Sequence, residues 1–583
     1  MNIFSLLKFY ERRIRRILPI LFFVIFVTSI TSLILLSPQQ IFEFNNSSIS
    51  ALFFFSNIFF WMQDDGYFAD PSEEKPLLHT WSLSIEEQYY IFFPILFLIF
   101  FNRRNIILFA IIISLFLISF FLSIYASKYH SSANFFLLPF RIWEILAGSL
   151  VAFLLHKKKK EKSNFLSIIG FFLIFSSFFF FNEKIPTPSF YTLIPILGVV
   201  LILIYSENET LVSKFLSHKI LVTVGLMSYS LYLWHFPIIS FFKIKFNNLS
   251  NLNITFIILL SFILSYGSWK YIEKPFRNKN KIGLKSLTIY ILIFLIFLIS
   301  FNLIGINSKG FKDLIVKYRY SDNIRYELVL NSTEYEFEKK MINKECKIWI
   351  KNIEDLKNRD IKNCYKKYEK FILIFGDSHA MTLHNILSKN QNFNFIISIA
   401  EGGFRVHNKH DKLKLNELEK FIIENKNSIK SIIYNQSGSH FMEDENGNVD
   451  SKSIFEGKFL RFSNKNISGT INYLNYLSKK IKKKILWIGS YTQYRYDPIK
   501  NFNSPKAENI NPISVELFMK LNENLIDRLK ENKNIDFKKF NEIFEEPKIA
   551  FLENCFLFYD MDHYSACAES YISRKLININ FQK

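Results

Sequence analysis

FILIFGDSHAMTLHNIL, residues 371–387, holds five apolar residues, then Gly376, then a polar turn, then a helix-compatible run. Phe371 to Phe375 read as a parallel strand buried on both faces, and Gly376 ends it in a tight turn. That turn presents Ser378. A serine hydroxyl is a weak nucleophile until a base takes its proton, so a histidine held by a carboxylate is required elsewhere. YDMDHYSACAES, residues 559–570, supplies Asp560 and His563 three positions apart.

Around this stretch FNFIISIA (393–400), SIKSIIYN (428–435) and KKILWIGS (483–490) are three more strand candidates, separated by polar, helix-compatible segments. Strand alternating with helix predicts one α/β domain over residues 346–583. All four cysteines, Cys346, Cys364, Cys555 and Cys567, fall within it, and none has C-x-x-C spacing. Zinc and thioredoxin-like readings are therefore poor, and no metal is expected. An even count in one extracytoplasmic domain fits disulfides. We expect Cys346 with Cys364, closing a loop worth about 3 kcal/mol, and Cys555 with Cys567.

Residues 1–305 are different in kind, with repeated runs rich in Phe and Ile, each long enough for the roughly 20 residues a bilayer-crossing helix needs. They fall near 17–36, 83–101, 105–125, 135–156, 164–181, 191–206, 221–243, 251–273 and 286–305, which predicts nine spans. The first lacks a small-x-small cleavage site and is too long for a signal core, so it is expected to be retained. Residues 49–62 are shorter and interrupted by Ser56 and Asn57, and are expected at the outer interface. With Arg12, Arg13, Arg15 and Arg16 inside, nine spans place NRR (102–104), KKKKEK (157–162), KFLSHK (214–219) and KYIEKPFRNKNK (270–281) inside as well, and residues after Ile306 outside. Residues 306–345 read as a linker. The net charge of +21 comes without a basic stripe interleaved with stacking aromatics, so a membrane surface or an anionic glycan fits it better than nucleic acid.

Ionisable groups inside spans are expensive and default to functional candidates. PLLHTWSLSIEEQYYIFFP (76–94) carries His79, Glu86 and Glu87 at the outer end of a span. RIWEILAG places Arg141 and Glu144 on one helical face, where an ion pair and a substrate site are equally good readings. SYSLYLWHFP puts Tyr229, Tyr232 and His235 in one span, and YIEKPFR (271–277) reads as ordinary snorkelling at the cytoplasmic face.

GDSH with a later D-x-x-H resembles the SGNH (GDSL-like) hydrolase family, whose members move acyl groups on and off carbohydrate hydroxyls. The resemblance implies a flavodoxin-like three-layer α/β fold with Ser378 as nucleophile, His563 as base and Asp560 orienting it. It also implies oxyanion donors: the Ser378 amide, with Gly402 and Gly403 of AEGGF and Asn435 of IIYNQSG loosely at the family positions. In the first half FYERRIRRILP, SNIFFWMQDDGYF, PLLHTWSLSIEEQYYIFFP, RIWEILAG, SYSLYLWHFP and YIEKPFR resemble acyltransferase family 3, from about Phe4 to Arg277. That resemblance implies acyl groups brought from cytoplasmic acetyl-CoA to the outside, with Arg13 and Arg16 in the arginine motif at the CoA phosphates. Family members begin with two further spans, which carry D-G-L-R-A and a histidine regarded as the acyl-transfer base. The chain as read starts after them. We therefore expect a separate chain or upstream sequence to supply them, and the 583 residues alone not to acetylate a glycan.

The expected protein is a multi-pass O-acyltransferase of the bacterial inner membrane with its α/β domain in the periplasm or extracytoplasmic space. Its expected donor is acetyl-CoA or another acyl-CoA, and its acceptor lipopolysaccharide or another surface polysaccharide. Its other partner is membrane lipid, and it has no bound cofactor. Water in place of the sugar would make the α/β domain an esterase. A non-catalytic polysaccharide or lipid-carrier transporter is the remaining reading, and the GDSH and D-x-x-H elements count against it.

Overall fold

A computed structural model describes residues 5–64, 72–100, 105–157, 161–182, 185–246, 249–319, 324–333, 338–357, 361–407, 412–445, 447–496, 498, 508–552 and 554–577. The chain divides into two compact units, Met1–Tyr318 and Arg319–Lys583.

Among the described residues, seven helices of the first unit are long and apolar enough to cross a membrane: Leu6–Leu35, Thr80–Phe100, Ile106–Tyr129, Ser131–His156, Lys219–Phe246, Asn251–Arg277 and Leu284–Asn307. Two shorter apolar helices, Asn164–Phe180 and Leu193–Tyr205, stand where the two other spans are expected. Phe165, Phe172 and Phe178 point outward from the first of these, as residues facing lipid do. The pair meets at Gly170 and Gly198. A Cβ on either would lie 2.7 Å from the other's carbonyl oxygen, so the backbones approach as only small residues allow. The basic residues at 103–104 and 158–160 lie outside the described residues.

Residues 49–62, expected at the interface, fall on two short helices, Pro38–Leu52 and Ser56–Asp64, the first started by a capping box between Ser37 and Gln40. The break between them holds Phe54 at φ +58°. After the last long helix, Lys309, Gly310 and Phe311 are all left-handed, and a Cβ on Gly310 would sit 1.8 Å from the Pro38 carbonyl oxygen.

The second unit is built on strands β1 (Lys347–Ile350), β2 (Phe371–Gly376), β3 (Ile396–Ala400), β4 (Ile429–Asn435), β5 (Met442–Asp444), β6 (Phe459–Phe462), β7 (Ile485–Ile488) and β8 (Ile535–Lys538). Six form one sheet in the order β1-β3-β2-β4-β7-β8, every pair parallel, while β5 and β6 make a separate antiparallel hairpin. Helices cover the sheet, and β2 is buried along its whole length. The chain winds from β2 outward to β3, then back across to β4. The carboxyl ends of β2, β3 and β4 therefore meet at a switch point, with Gly376 paired to both Ala400 and Asn435. Disulfides join Cys346 to Cys364 and Cys555 to Cys567.

Part of the stretch read as a linker is ordered into this unit. Ile324–Thr333 is a helix with Tyr326, Val329 and Leu330 buried, and Ser332 Oγ donates to the Phe556 carbonyl at 2.9 Å.

Candidate active site

Gly376 has φ +148°, and a Cβ there would lie 1.8 Å from the Asn435 carbonyl oxygen, so the turn after β2 requires glycine. Asp377 caps the helix Ser378–Lys389. One of its oxygens accepts from the His379 amide and the other from the Ser437 amide, each at 2.9 Å. Ser378 thereby stands half-buried on the first turn of a helix whose N-terminal dipole favours negative charge.

The base and its partner come from the loop ahead of the last helix, Ala566–Arg574. His563 Nδ1 lies 2.9 Å from one oxygen of Asp560 and 3.1 Å from the other. The backbone amides of Asp562 and His563 also donate to Asp560, at 2.9 and 2.8 Å, so the carboxylate is fixed before it meets the ring. A second carboxylate, Asp562, sits 3.1 Å from the same Nδ1. Burial pushes the imidazole down, but Asp560 and Asp562 outweigh it and hold it well above the ordinary histidine value. Burial pushes Asp560 up, and the His563 charge with these hydrogen bonds brings it below the usual carboxylate range.

The base lies beside the nucleophile turn, its ring centroid 5.5 Å from that of His379. His379 is buried, and burial with the nearby His563 charge pushes it well below the ordinary value, so this ring is neutral. It contacts Ser490 Oγ at 3.3 Å and Gln493 Nε2 at 3.1 Å, and stacks on Tyr491 at 4.3 Å. Tyr491 stacks in turn on Tyr564 at 4.2 Å, giving a column of three rings under the turn. Sequence reasoning assigned no role to His379, Gln493, Tyr491 or Tyr564. For Asp562 a signal was available, the second carboxylate of D-M-D-H.

The oxyanion candidates divide. Gly402 and Gly403 are exposed in the turn after β3, Gly403 at φ +80°, with open space where a Cβ would stand. Asn435 is buried beside Gly376, but its side-chain nitrogen donates to the Ile488 carbonyl at 2.9 Å and the Gly489 carbonyl at 3.4 Å. Those hydrogens therefore tie β4 to the end of β7.

In the first unit the candidates collect in three places. Arg13 stacks on Tyr90, its Cζ 3.3 Å from the ring centroid, and the charges of Arg13 and Arg16 both act on Glu86. Arg13 also acts on Glu87, so the arginines and the carboxylates expected at opposite ends of their spans share one electrostatic neighbourhood. His79 is buried against the rings of Tyr232, His235 and Phe236 at 5.2, 5.6 and 5.5 Å, and its carbonyl accepts from the Tyr232 hydroxyl. Arg141 pairs with Glu144 at 3.3 Å, donates to the Phe135 carbonyl at 3.0 Å and lies 5.0 Å from the Trp81 ring.

One residue of this half differs from its reading, and another has contacts that its reading did not include. Glu273 of YIEKPFR is buried rather than snorkelling, accepting from Ser230 at 3.0 Å and pairing with Arg277 at 3.2 Å. Arg15 is the buried arginine of its cluster and holds the end of the same segment through the carbonyls of Phe276 and Ile282, at 3.2 and 2.7 Å.

Residues 1–270 match an acyltransferase domain. The chain is 31% identical over 293 residues to O-acetyltransferase OatA of Staphylococcus aureus strain NCTC 8325, covering 47% of this chain and 48% of that protein. It is 34% identical over 346 residues to the putative O-acetyltransferase SAR0937 of strain MRSA252, covering 54% and 56%. The chain spans about half the length of the curated relatives it matches. The chain is thus a multi-pass membrane protein that carries an acyltransferase-homologous region ahead of an α/β domain.

Proposed function

We propose that this chain is an O-acyltransferase, transferring acetyl groups to the hydroxyls of an extracytoplasmic glycan, and that the last transfer passes through Ser378. The observation that carries the reading is the carboxylate-bound imidazole of His563 held against the His379 side of the Ser378 turn. The acyltransferase match of residues 1–270 supports transfer over hydrolysis as the overall outcome.

In this reading Ser378 Oγ attacks the acyl carbonyl while His563 Nε2 takes its proton. The anionic tetrahedral oxygen forms at the amides of the helix start, where the dipole and N–H groups oppose its charge. Collapse expels the donor's leaving group, which takes the proton back from the imidazolium, and leaves acyl-Ser378. A sugar hydroxyl then attacks acyl-Ser378 as His563 takes its proton; the second tetrahedral intermediate collapses, Ser378 Oγ leaves with that proton returned from His563, and the sugar departs as the ester. Asp560 keeps Nδ1 protonated so that Nε2 faces the reacting groups. Arg13 and Arg16 would hold the phosphates of acetyl-CoA, since guanidinium groups match phosphate geometry. His79, with Tyr232 and His235, is the membrane-half candidate for handling the acyl group.

The test uses the full chain in membrane vesicles given a small ester labelled in the acetyl group, a donor that reaches the α/β domain directly. Label should appear on the Ser378 peptide and then on glycan, and the Ser378→Ala chain should lose both. Undiminished glycan labelling by Ser378→Ala would sink the reading.

A further inference from the structure

Arg495 has φ +56°, a left-handed conformation that a long side chain rarely adopts, and its side chain is nearly buried. A strained backbone and a buried charge at one position call for an account.

Each part of the residue reaches a different piece of the site. Its backbone amide donates to the carbonyl of Met561, inside the turn that runs from Asp560 to His563, at 2.7 Å. Its Nε donates to Gln493 Oε1 at 2.6 Å. The nitrogen of that same Gln493 donates to Ser437 Oγ at 2.8 Å and contacts His379 Nε2 at 3.1 Å. Its Nη2 donates to Asp450 at 3.0 Å, and the guanidinium lies 4.1 Å from the centre of the Phe455 ring. Asp450 is 3.2 Å from His440 Nδ1, and the other nitrogen of His440 is 3.5 Å from Asp377. Asp377 is the cap of the Ser378 helix.

We propose that Arg495 is a positioning residue for the Ser378 reaction, a clasp that holds the His563 turn by its backbone and the Ser378 helix cap through Asp450 and His440. The inference rests on the Ser378 reading above. The left-handed φ is what turns the amide toward Met561 while the side chain runs the other way, to Gln493 and Asp450. The guanidinium is suited to this where an ammonium is not, since two of its nitrogens serve two acceptors while its face lies on Phe455. A relative shift of about 1 Å between nucleophile and base is enough to slow such a reaction by roughly a hundredfold.

The experiment uses the full chain in detergent, a small acetyl ester as substrate, and a fluorophosphonate that labels an activated serine. Rates are expressed per labelled Ser378, so unfolded molecules do not count. Arg495→Lys keeps the charge and loses the fork. It should lower kcat by about tenfold or more with KM little changed, and slow the labelling in proportion. Asp450→Asn should do the same, and the double variant should be no slower than the worse single one. Wild-type kcat per labelled serine in both single variants would overturn the clasp, as would fully additive losses. Ser378→Ala distinguishes the two levels. If it keeps hydrolysing the ester, the Ser378 reading itself fails; if it is dead while Arg495→Lys and Asp450→Asn are normal, only the clasp fails. Should Arg495→Lys not fold, Asp450→Asn alone decides.

Discussion

Arg141 and Glu144 are three residues apart on one helix, whereas Arg495, Asp450, His440 and Asp377 meet from four separated segments. Arg15 with Glu11 and Arg277 with Glu273 repeat the first pattern at a spacing of four. A helix entering hydrocarbon satisfies its backbone internally before it packs, so a charge that goes in with it is best served by a partner one turn away. A doubly wound sheet does the opposite. It gathers loops from distant parts of the chain at the carboxyl ends of its strands, and charges meet there only once the fold exists. The pairs Arg141–Glu144, Arg15–Glu11 and Arg277–Glu273 are thus properties of single helices, whereas the chain of contacts from Arg495 to Asp377 is a property of the tertiary structure.

The largest expected effect tests the long-range half. Ser378→Ala should reduce acetyl-ester hydrolysis by the full chain about 10³-fold or more, leaving what binding and the oxyanion site supply. A loss of less than tenfold would remove the α/β half from the comparison as a catalytic unit. Next, Gly376→Ala would force a methyl group into the Asn435 carbonyl and should cost about 3 kcal/mol or more, seen as a loss of folded protein after purification. Cys346→Ser should lower unfolding stability by about 3 kcal/mol, measured by denaturant titration of the α/β unit's signal, and mass mapping of unreduced protein should find Cys346 joined to Cys364.

In the membrane half, Glu144→Gln leaves Arg141 largely buried without its carboxylate and should cost roughly 2 kcal/mol by thermal unfolding in detergent. Ser378 labelling should be unaffected, and a parallel loss of labelling would show that the halves are less independent than their charge patterns suggest. The smallest effect sharpens the chemistry. Asp562→Asn removes one of two carboxylates beside His563 Nδ1, so the acid limb of kcat/KM should move to lower pH. The sign follows because His563 must be neutral to accept the serine proton and its folded value lies above the unfolded one. The same shift stabilises the fold fully below the unfolded histidine value of about 6.5, and that contribution disappears as pH rises through the folded value. Asp562→Asn should therefore flatten this dependence as well.

Legibility in the sequence follows the same divide. The long helices could be read directly, because crossing a bilayer demands about 20 apolar residues in succession, and Arg141 with Glu144 could be paired by helical spacing. The strand, turn and helix around Ser378 were equally open, since a buried parallel strand is apolar throughout and Gly376 marks its end. Strands β1 and β8 were not, being four residues each at the sheet's edges, where KIWI is too short and IDFK half-polar, so neither carries a distinctive period. The helix Ile324–Thr333 was hidden for a related reason. Its buried residues Tyr326, Val329 and Leu330 are too few to signal a core face among Asn, Ser and Glu. Asp377, His440, Asp450 and Arg495 span more than a hundred residues of sequence, and no local spacing relates them.

The column of His379, Tyr491 and Tyr564 makes the site optically visible. Rings held in a fixed, asymmetric stack give near-ultraviolet circular dichroism that vanishes when specific packing is lost while helices and strands persist. The difference between wild type and Tyr491→Leu would isolate that signal from the chain's other aromatic residues. It would give a spectroscopic gauge of the packed site that needs no substrate, no acyl donor and no knowledge of the acceptor glycan.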